Sequence, residues 1–91
     1  MLYALICTDK PGALNIRKKN RDAHLEHLDK GGLKVVHAGP FLDIKGDMCG
    51  SLIVFDAPGV DAVEDWAERD PYAAAGLFES VVIRGWKKVI G

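Results

Sequence analysis

Two short segments of this chain are apolar on both of their alternating faces, and no other feature limits the possible folds as strongly. In Leu2–Thr8, one alternating set is Leu2, Ala4 and Ile6, and the other set is equally apolar. Ser51–Phe55 has the same character. Because a strand that is apolar on both faces is covered on both faces, these segments predict a sheet whose strands are buried from two sides.

Two other segments have the apolar spacing of helices. The first covers 13–30, where Gly31-Gly32 ends the pattern, and the second begins at position 60 and stops at Asp70-Pro71. Tyr72–Gly76 has room for one further helical turn. The apolar positions that carry the two patterns are Leu14, Leu25 and Leu28 in the first helix and Val60, Val63, Trp66 and Ala67 in the second.

The remaining strand-like segments are Leu33–Asp43 and Glu79–Val89. Gly39-Pro40 places the former at an edge or a distorted position, and the turn residues Lys45-Gly46-Asp47 join it to the next strand as a hairpin.

The resulting order is βαββαβ in 91 residues. It predicts one α+β domain over 1–91, a ferredoxin-like sandwich with a four-stranded antiparallel sheet and both helices on one face. The strands are also apolar on the side that the helices leave open, so we expect a homodimer through that open sheet face.

Composition narrows the classes of function. The chain is 48% hydrophobic and 27% charged with a net charge of −1, and its basic residues are scattered among acids, which does not favour a nucleic-acid partner. The apolar N-terminus lacks a basic leader and a cleavage site, so we expect neither a signal peptide nor a membrane span. Cys7 and Cys49 form no CxxC pair, which is typical of free thiols in a reducing cytoplasm.

Several common site patterns are missing. His24, His27, His37 and Cys49 match no zinc signature, so the sequence does not favour a metal site. No glycine-rich phosphate loop follows the first strand, and no G-x-S-x-G motif occurs. We therefore expect no cofactor, no nucleotide chemistry and no serine hydrolysis.

His24 and Asp70 each interrupt the apolar stripe of a different helix. On a helical projection His24 falls at the edge of the first stripe, Arg21 points with the leucines, and His27 faces away. Asp70 takes the position where the next core residue of the second helix would lie. A carboxylate at a helix C-terminus meets the negative end of the helix dipole and calls for a cationic partner.

We expect the two helices to lie side by side and roughly parallel, so that His24 and Asp70 meet across the helix pair. In that hypothesis the carboxylate fixes the imidazole tautomer, and the other ring nitrogen moves a proton on a small ligand. Two structural alternatives stay open. Asp70 before Pro71 is also a natural N-cap, with one carboxylate oxygen free for a histidine, and His24 can be a boundary histidine with a purely structural hydrogen bond.

Other polar residues are candidate ligand contacts. Arg17 and Arg21 are placed to hold an anion beside His24, although long cations at the edge of a stripe usually extend into solvent. Ser51 can donate a hydrogen bond to a ligand, although a serine at such a position is more often structural. Tyr72 can line a pocket with its amphipathic ring or pack in the core. The sequence-based site therefore has His24 and Asp70 as catalytic residues and Arg21, Ser51 and Tyr72 as substrate contacts.

Five short motifs, taken in their order and spacing, resemble the YciI-like (YCII-related) family of small bacterial proteins over essentially the whole chain. The motifs are Arg21-Asp22-Ala23-His24-Leu25, Ala38-Gly39-Pro40, Gly50-Ser51-Leu52-Ile53, Trp66-Ala67 and Asp70-Pro71-Tyr72-Ala73-Ala74-Ala75-Gly76-Leu77-Phe78. The resemblance implies a ferredoxin-like protomer in a dimeric α+β barrel, with an active site on His24 and Asp70.

The resemblance also implies a type of chemistry. Relatives include a dehydrochlorinase that acts on chlorinated hydroquinones and, further away, muconolactone isomerase-like enzymes, which share proton abstraction from a small acid or phenol. Three hypotheses follow: a cofactor-independent lyase or isomerase with His24 as general base, a non-catalytic module that binds a small acidic metabolite, and a structural dimer in which the His24–Asp70 contact only ties two helices together.

Overall fold

The computed structural model describes residues 1–91 and contains four strands and three helices. The elements are β1 Leu2–Asp9, α1 Leu14–Lys30, β2 Lys34–Leu42, β3 Met48–Asp56, α2 Val60–Glu68, α3 Pro71–Ala74 and β4 Phe78–Trp86. All neighbouring strands are antiparallel, in the order β2-β3-β1-β4. The predicted ferredoxin-like sandwich is confirmed, with α3 as the extra helical turn.

The main core lies between the helices and one face of the sheet. Leu5 and Cys7 on β1 and Phe55 on β3 are buried there against Val63 and Trp66 of α2. This face has the period of two that the sequence shows, because alternate residues of a strand point to the same side. Asp9 continues the same alternating set of β1 and therefore faces the helices as well.

Strand β2 lies at one edge of the sheet, as Gly39-Pro40 predicts. The irregularities in its pairing lie elsewhere, between Val35 and His37 and again beside Leu42. Pro40 lies opposite Ser51 in regular register, which an edge strand tolerates because it needs a partner on only one side. At the other edge β4 ends at Trp86, three residues before the predicted end.

The two long helices run in opposite directions, so the expectation of a parallel pair is wrong. Strands β1 and β2 are parallel to each other because both are antiparallel to β3, and α1 returns between them. Strands β3 and β4 are likewise parallel to each other and point the opposite way to β1, and α2 returns between them. The His–Asp contact forms because α1 passes the junction between α2 and α3, where Asp70 lies.

No helix covers the opposite side of the sheet, which is the open sheet face. Because antiparallel partners point to the same side, the register places Leu2 with Trp86, and Ile6 with both Leu52 and Val82, on this face. Val82 and Trp86 are exposed there and the other three are half-buried. None of the three helices combines the length and the apolarity that a membrane crossing requires.

Candidate functional site

A cavity of about 120 Å³ lies between α1 and the β2–β3 hairpin. Its lining includes Arg17, Arg21 and His24 from α1, Ser51 from β3 and Tyr72 from α3. Four of these five residues are buried, and Arg21 is exposed. The cavity therefore has polar walls supplied by side chains that the fold holds in place.

His24 and Asp70 are in direct contact. His24 Nδ1 lies 2.9 Å from Asp70 Oδ1, and the two side chains are only 7% and 1% exposed. With the carboxylate ionised, Nδ1 carries the hydrogen and donates it to Asp70. Nε2 of the neutral ring then keeps its lone pair, and no protein group bonds to it.

Asp70 has the second role that its position before proline suggests. Its Oδ1 also accepts a hydrogen bond from the backbone N–H of Tyr72 at 3.0 Å, which caps α3. Capping and the histidine contact therefore coexist, but one carboxylate oxygen serves both, whereas a separate oxygen for each was expected from the sequence. The cap fixes the carboxylate, and the carboxylate in turn fixes the orientation of the imidazole.

Tyr72 packs flat against the imidazole of His24. The two ring centroids are 4.0 Å apart and the planes are inclined by 15°. The Arg17 guanidinium lies 4.7 Å from the centroid of the same tyrosine ring. Burial raises the pKa of Tyr72, while Arg17 and Arg21 pull it down, and the net effect is a hydroxyl that stays protonated in neutral solution.

Arg17 forms a buried ion pair with Asp9 that was not predicted from the sequence. Its Nε and Nη2 donate to the two carboxylate oxygens of Asp9 at 2.7 and 2.8 Å, and Nη2 also donates to Ser51 Oγ at 2.9 Å. Burial would lower the pKa of Arg17, but the hydrogen bond and charge of Asp9 raise it above its usual value. The arginine is therefore a fixed cation, held by a carboxylate at the end of β1.

A signal for this pair is present in the sequence. Arg17 precedes His24 by seven residues, which is close to two helical turns and places both on one face of α1. Asp9 extends the core-facing set of β1. When an acid and a base both point into the core at neighbouring positions, they are expected to pair, because an unpaired buried charge is costly.

The structure changes the placement of three helix residues. Leu25, which was expected in the buried stripe, is 46% exposed, and Arg21 is exposed with its Nη1 3.4 Å from Met48 Sδ. His27 does not face away from the protein. It is half-buried, stacks on Trp66 at 4.3 Å and contacts the Trp66 carbonyl oxygen through Nε2 at 2.9 Å.

Fold and site together define the class of this protein: a small α+β protein of the dimeric α+β-barrel fold type, with a buried histidine–aspartate contact beside a cavity. The chain belongs to the YCII-related domain family, whose model matches residues 1–87. It is 34% identical over 97 residues to Protein YciI of Escherichia coli O6:H1, covering 98% of this chain and 99% of that protein. An uncharacterized protein of Haemophilus influenzae is 30% identical with the same coverage.

Solved structures extend the comparison. The 5-chloro-2-hydroxyhydroquinone dehydrochlorinase TftG of Burkholderia phenoliruptrix AC1100, in complex with 2,5-dihydroxybenzoquinone, superposes with a TM-score of 0.87 at 35% identity, over 96% of this chain and 94% of that chain. An antibiotic biosynthesis monooxygenase superposes with a TM-score of 0.59 at 16% identity, over 97% of this chain and 100% of that chain, a likeness of fold alone.

Proposed function

We propose that this protein is a cofactor-independent lyase or isomerase of the dehydrochlorinase type that acts on a small acidic or phenolic metabolite. His24 is the general base, Asp70 orients it, and Arg21, Ser51 and Tyr72 contact the substrate. The observation that carries the proposal is the buried 2.9 Å contact between His24 Nδ1 and Asp70 Oδ1, which leaves Nε2 free on a residue that lines the cavity.

The geometry suits proton abstraction. Because Asp70 accepts the Nδ1 hydrogen, the lone pair of Nε2 is the basic site, and the carboxylate stabilises the imidazolium that forms when Nε2 takes a proton. The stack of Tyr72 on the imidazole keeps the ring in one plane. In a dehydrochlorination the electron pair of the broken bond to hydrogen moves into the ring of the substrate and chloride leaves with the pair of the C–Cl bond, so no oxidant is needed.

The similarity to TftG supports this choice of reaction. By its name that enzyme removes chloride from a chlorinated hydroxyhydroquinone, and its structure holds a dihydroxybenzoquinone. The chain is 35% identical to TftG over nearly the full length, so the substrate class of TftG is the first one to test with this protein. A substrate of this kind is small, phenolic and acidic.

Turnover of chlorinated hydroquinones tests the proposal. We expect the wild-type protein to release chloride, and His24→Asn to lower kcat by roughly 10²–10⁴-fold, the range that a positioned general base contributes. His37→Asn is the matched control, because His37 is exposed on β2 and does not line the cavity. Binding of 2,5-dihydroxybenzoquinone without turnover of any chlorinated hydroquinone would contradict the lyase and favour a non-catalytic ligand-binding domain.

We further propose that the protein is a cytoplasmic homodimer that associates through the open sheet face. Exposed Val82 and Trp86 on a sheet face without helices support the dimer, since large apolar patches on monomers are uncommon. Two free cysteines, Cys7 and Cys49, fit a reducing compartment.

A further inference from the structure

Arg17 is unusual among the cavity residues because its charge is buried and protein groups accept only some of its N–H hydrogen bonds. The side chain is 3% exposed, and its Nε and Nη2 make three hydrogen bonds, to Asp9 and Ser51. A guanidinium has five N–H donors, and the neighbouring Tyr72 hydroxyl can accept one more of them, so at least one N–H of Arg17 is left without a protein acceptor. A buried donor without a partner is costly, which makes this N–H a place where a ligand oxygen is expected.

Three polar groups with unused hydrogen-bonding capacity belong to residues that line the cavity. They are the leftover N–H of Arg17, the hydroxyl of Tyr72, which keeps its own hydrogen when it accepts from Arg17, and Nε2 of His24, to which no protein group bonds. Two of the three groups are donors and the third is the basic nitrogen.

One aromatic ring links the cation to the base. Arg17 and His24 are separated by about 10 Å along the axis of α1, and both contact the ring of Tyr72. A ligand that reaches the Tyr72 ring is therefore near both the guanidinium and the imidazole. The cavity lining contains two arginines and no acidic side chain, so its charge favours an anion.

We propose that Arg17, held in place by Asp9, forms with Tyr72 an oxyanion-binding site that restricts ligands to those with an ionised or ionising oxygen, such as a phenol or an enolisable carbonyl. The leftover N–H of Arg17 and the hydroxyl of Tyr72 each donate to that oxygen, and Ser51, which accepts from Arg17, keeps its own hydroxyl hydrogen for the ligand. Asp9 is a positioning residue that acts through Arg17. Burial raises the pKa of Tyr72, in keeping with its role as a donor.

The catalytic use of this site rests on the proposed function. As His24 Nε2 takes the proton from a carbon next to a carbonyl, the C–H bond breaks, its electron pair forms a C=C bond, and the carbonyl pair moves to oxygen. Arg17 and Tyr72 then hold the enolate oxygen where the charge develops. Collapse of the enolate returns the proton to a second carbon or expels a leaving group, and the atoms and electrons balance without a co-reactant.

Ionisation of 4-nitrophenol tests the oxyanion site without any turnover. At a mildly acidic pH, where the free phenol is mostly neutral, we expect wild-type protein to bind the probe as its yellow phenolate. Asp9→Asn combined with Arg17→Gln removes the cation without leaving a buried carboxylate unpaired, and should weaken phenolate binding by about tenfold or more, as expected for a lost charge-assisted hydrogen bond. Absorbance titration measures both proteins, and thermal melting shows that the variant is folded.

Arg17→Lys provides a second variant if the double variant unfolds, because lysine keeps a cation for Asp9 but lacks the guanidinium. Phenolate formation that survives loss of the guanidinium, or its absence from the wild type, overturns the proposal. The same titration on His24→Asn, compared with turnover, separates the oxyanion site from the proposed lyase. An Arg17-dependent phenolate in a protein that never turns over a substrate contradicts the lyase and leaves the oxyanion site standing, whereas turnover with an Arg17-independent phenolate does the reverse.

Discussion

The acidic and basic side chains that this protein buries are arranged as two pairs joined by one aromatic ring. Arg17 pairs with Asp9 and His24 with Asp70, and Tyr72 contacts the base of each pair. A buried charge is tolerated when it is paired and hydrogen-bonded, and both carboxylates meet this condition. The two pairs occupy buried positions that apolar side chains would otherwise fill in this small domain. Two of their four residues, Arg17 and His24, line the cavity, and they make its walls polar.

Cys7 lies beneath this network and should make the protein sensitive to alkaline pH. Burial, followed by the negative charge of Asp70, raises the pKa of Cys7 from 9.0 to about 12. The folded state thus holds this proton more tightly than the unfolded state. The stabilisation is complete below pH 9, falls by at most about 1.4 kcal/mol per pH unit above it, and is lost near pH 12.

Urea unfolding of the wild type and Cys7→Ser as a function of pH measures this effect. We expect the free energy of unfolding of Cys7→Ser to decline less steeply between pH 9 and 12 than that of the wild type. Cys49→Ser, which changes a half-buried thiol outside the core, should keep the steep decline. Equal slopes for Cys7→Ser and the wild type would count against the burial of a protonated thiol.

At the scale of elements, α1 shows where sequence reasoning succeeds and where it stops. Its existence and its end at Gly31 follow from residue spacing and the paired glycines. Its buried face could not be predicted in this way. The two residues that α1 buries are Arg17 and His24, and neither is apolar, so neither contributes to a hydrophobic period. The leucines therefore predicted a face of α1 that differs from the buried face in the structure, and Leu25 is exposed.

The site was likewise only partly predictable. His24 and Asp70 could be singled out because each breaks an apolar pattern, whereas the path that joins them depends on the opposite directions of α1 and α2, which local patterns do not encode. Asp9 escaped notice because a single acid at the end of a strand looks like the start of a turn. The alternation of β1 places Asp9 on the core side, but the identity of its partner depends on how α1 lies over the sheet.

The junction between α1 and α2 depends on the absence of a side chain at Gly31. A Cβ atom at this position would collide with the His27 carbonyl oxygen and with the indole of Trp66. We expect Gly31→Ala to lower the free energy of unfolding by about 1–3 kcal/mol, the usual cost of overpacking a rigid site. Chemical denaturation measures this.

Gly39→Ala is the matched control for this substitution. A Cβ at Gly39, on the edge strand, meets nothing within 4 Å. The control should keep the stability of the wild type, because alanine fits an extended edge strand without strain. If both alanine variants unfold at the same urea concentration, the close approach of Trp66 does not limit the helix junction.

In the molecule as a whole, helices cover one side of the sheet and leave the other side open. The helices bury one side, including Leu5 and Phe55 at 0% exposure, while the open sheet face keeps Val82 and Trp86 exposed. A sheet with an apolar face and no cover calls for a second layer. In the homodimer proposed above, a second copy of the same chain is that layer, and a twofold axis lets the same surface cover itself.

Two adjacent valines of β4 allow a direct test of the homodimer. Val82 pairs with Ile6 on the open sheet face and is 47% exposed, whereas Val81 pairs with Cys7 on the helix side of the same strand and is 45% exposed. We expect the wild type to sediment as a dimer at micromolar concentration and Val82→Lys to sediment as a monomer, because the ammonium group would have to be buried in the interface. Val81→Lys adds the same charge at the same exposure, one residue away, and should remain a dimer. A monomeric wild type, or equal sedimentation of the two lysine variants, would exclude the open sheet face as the dimer interface.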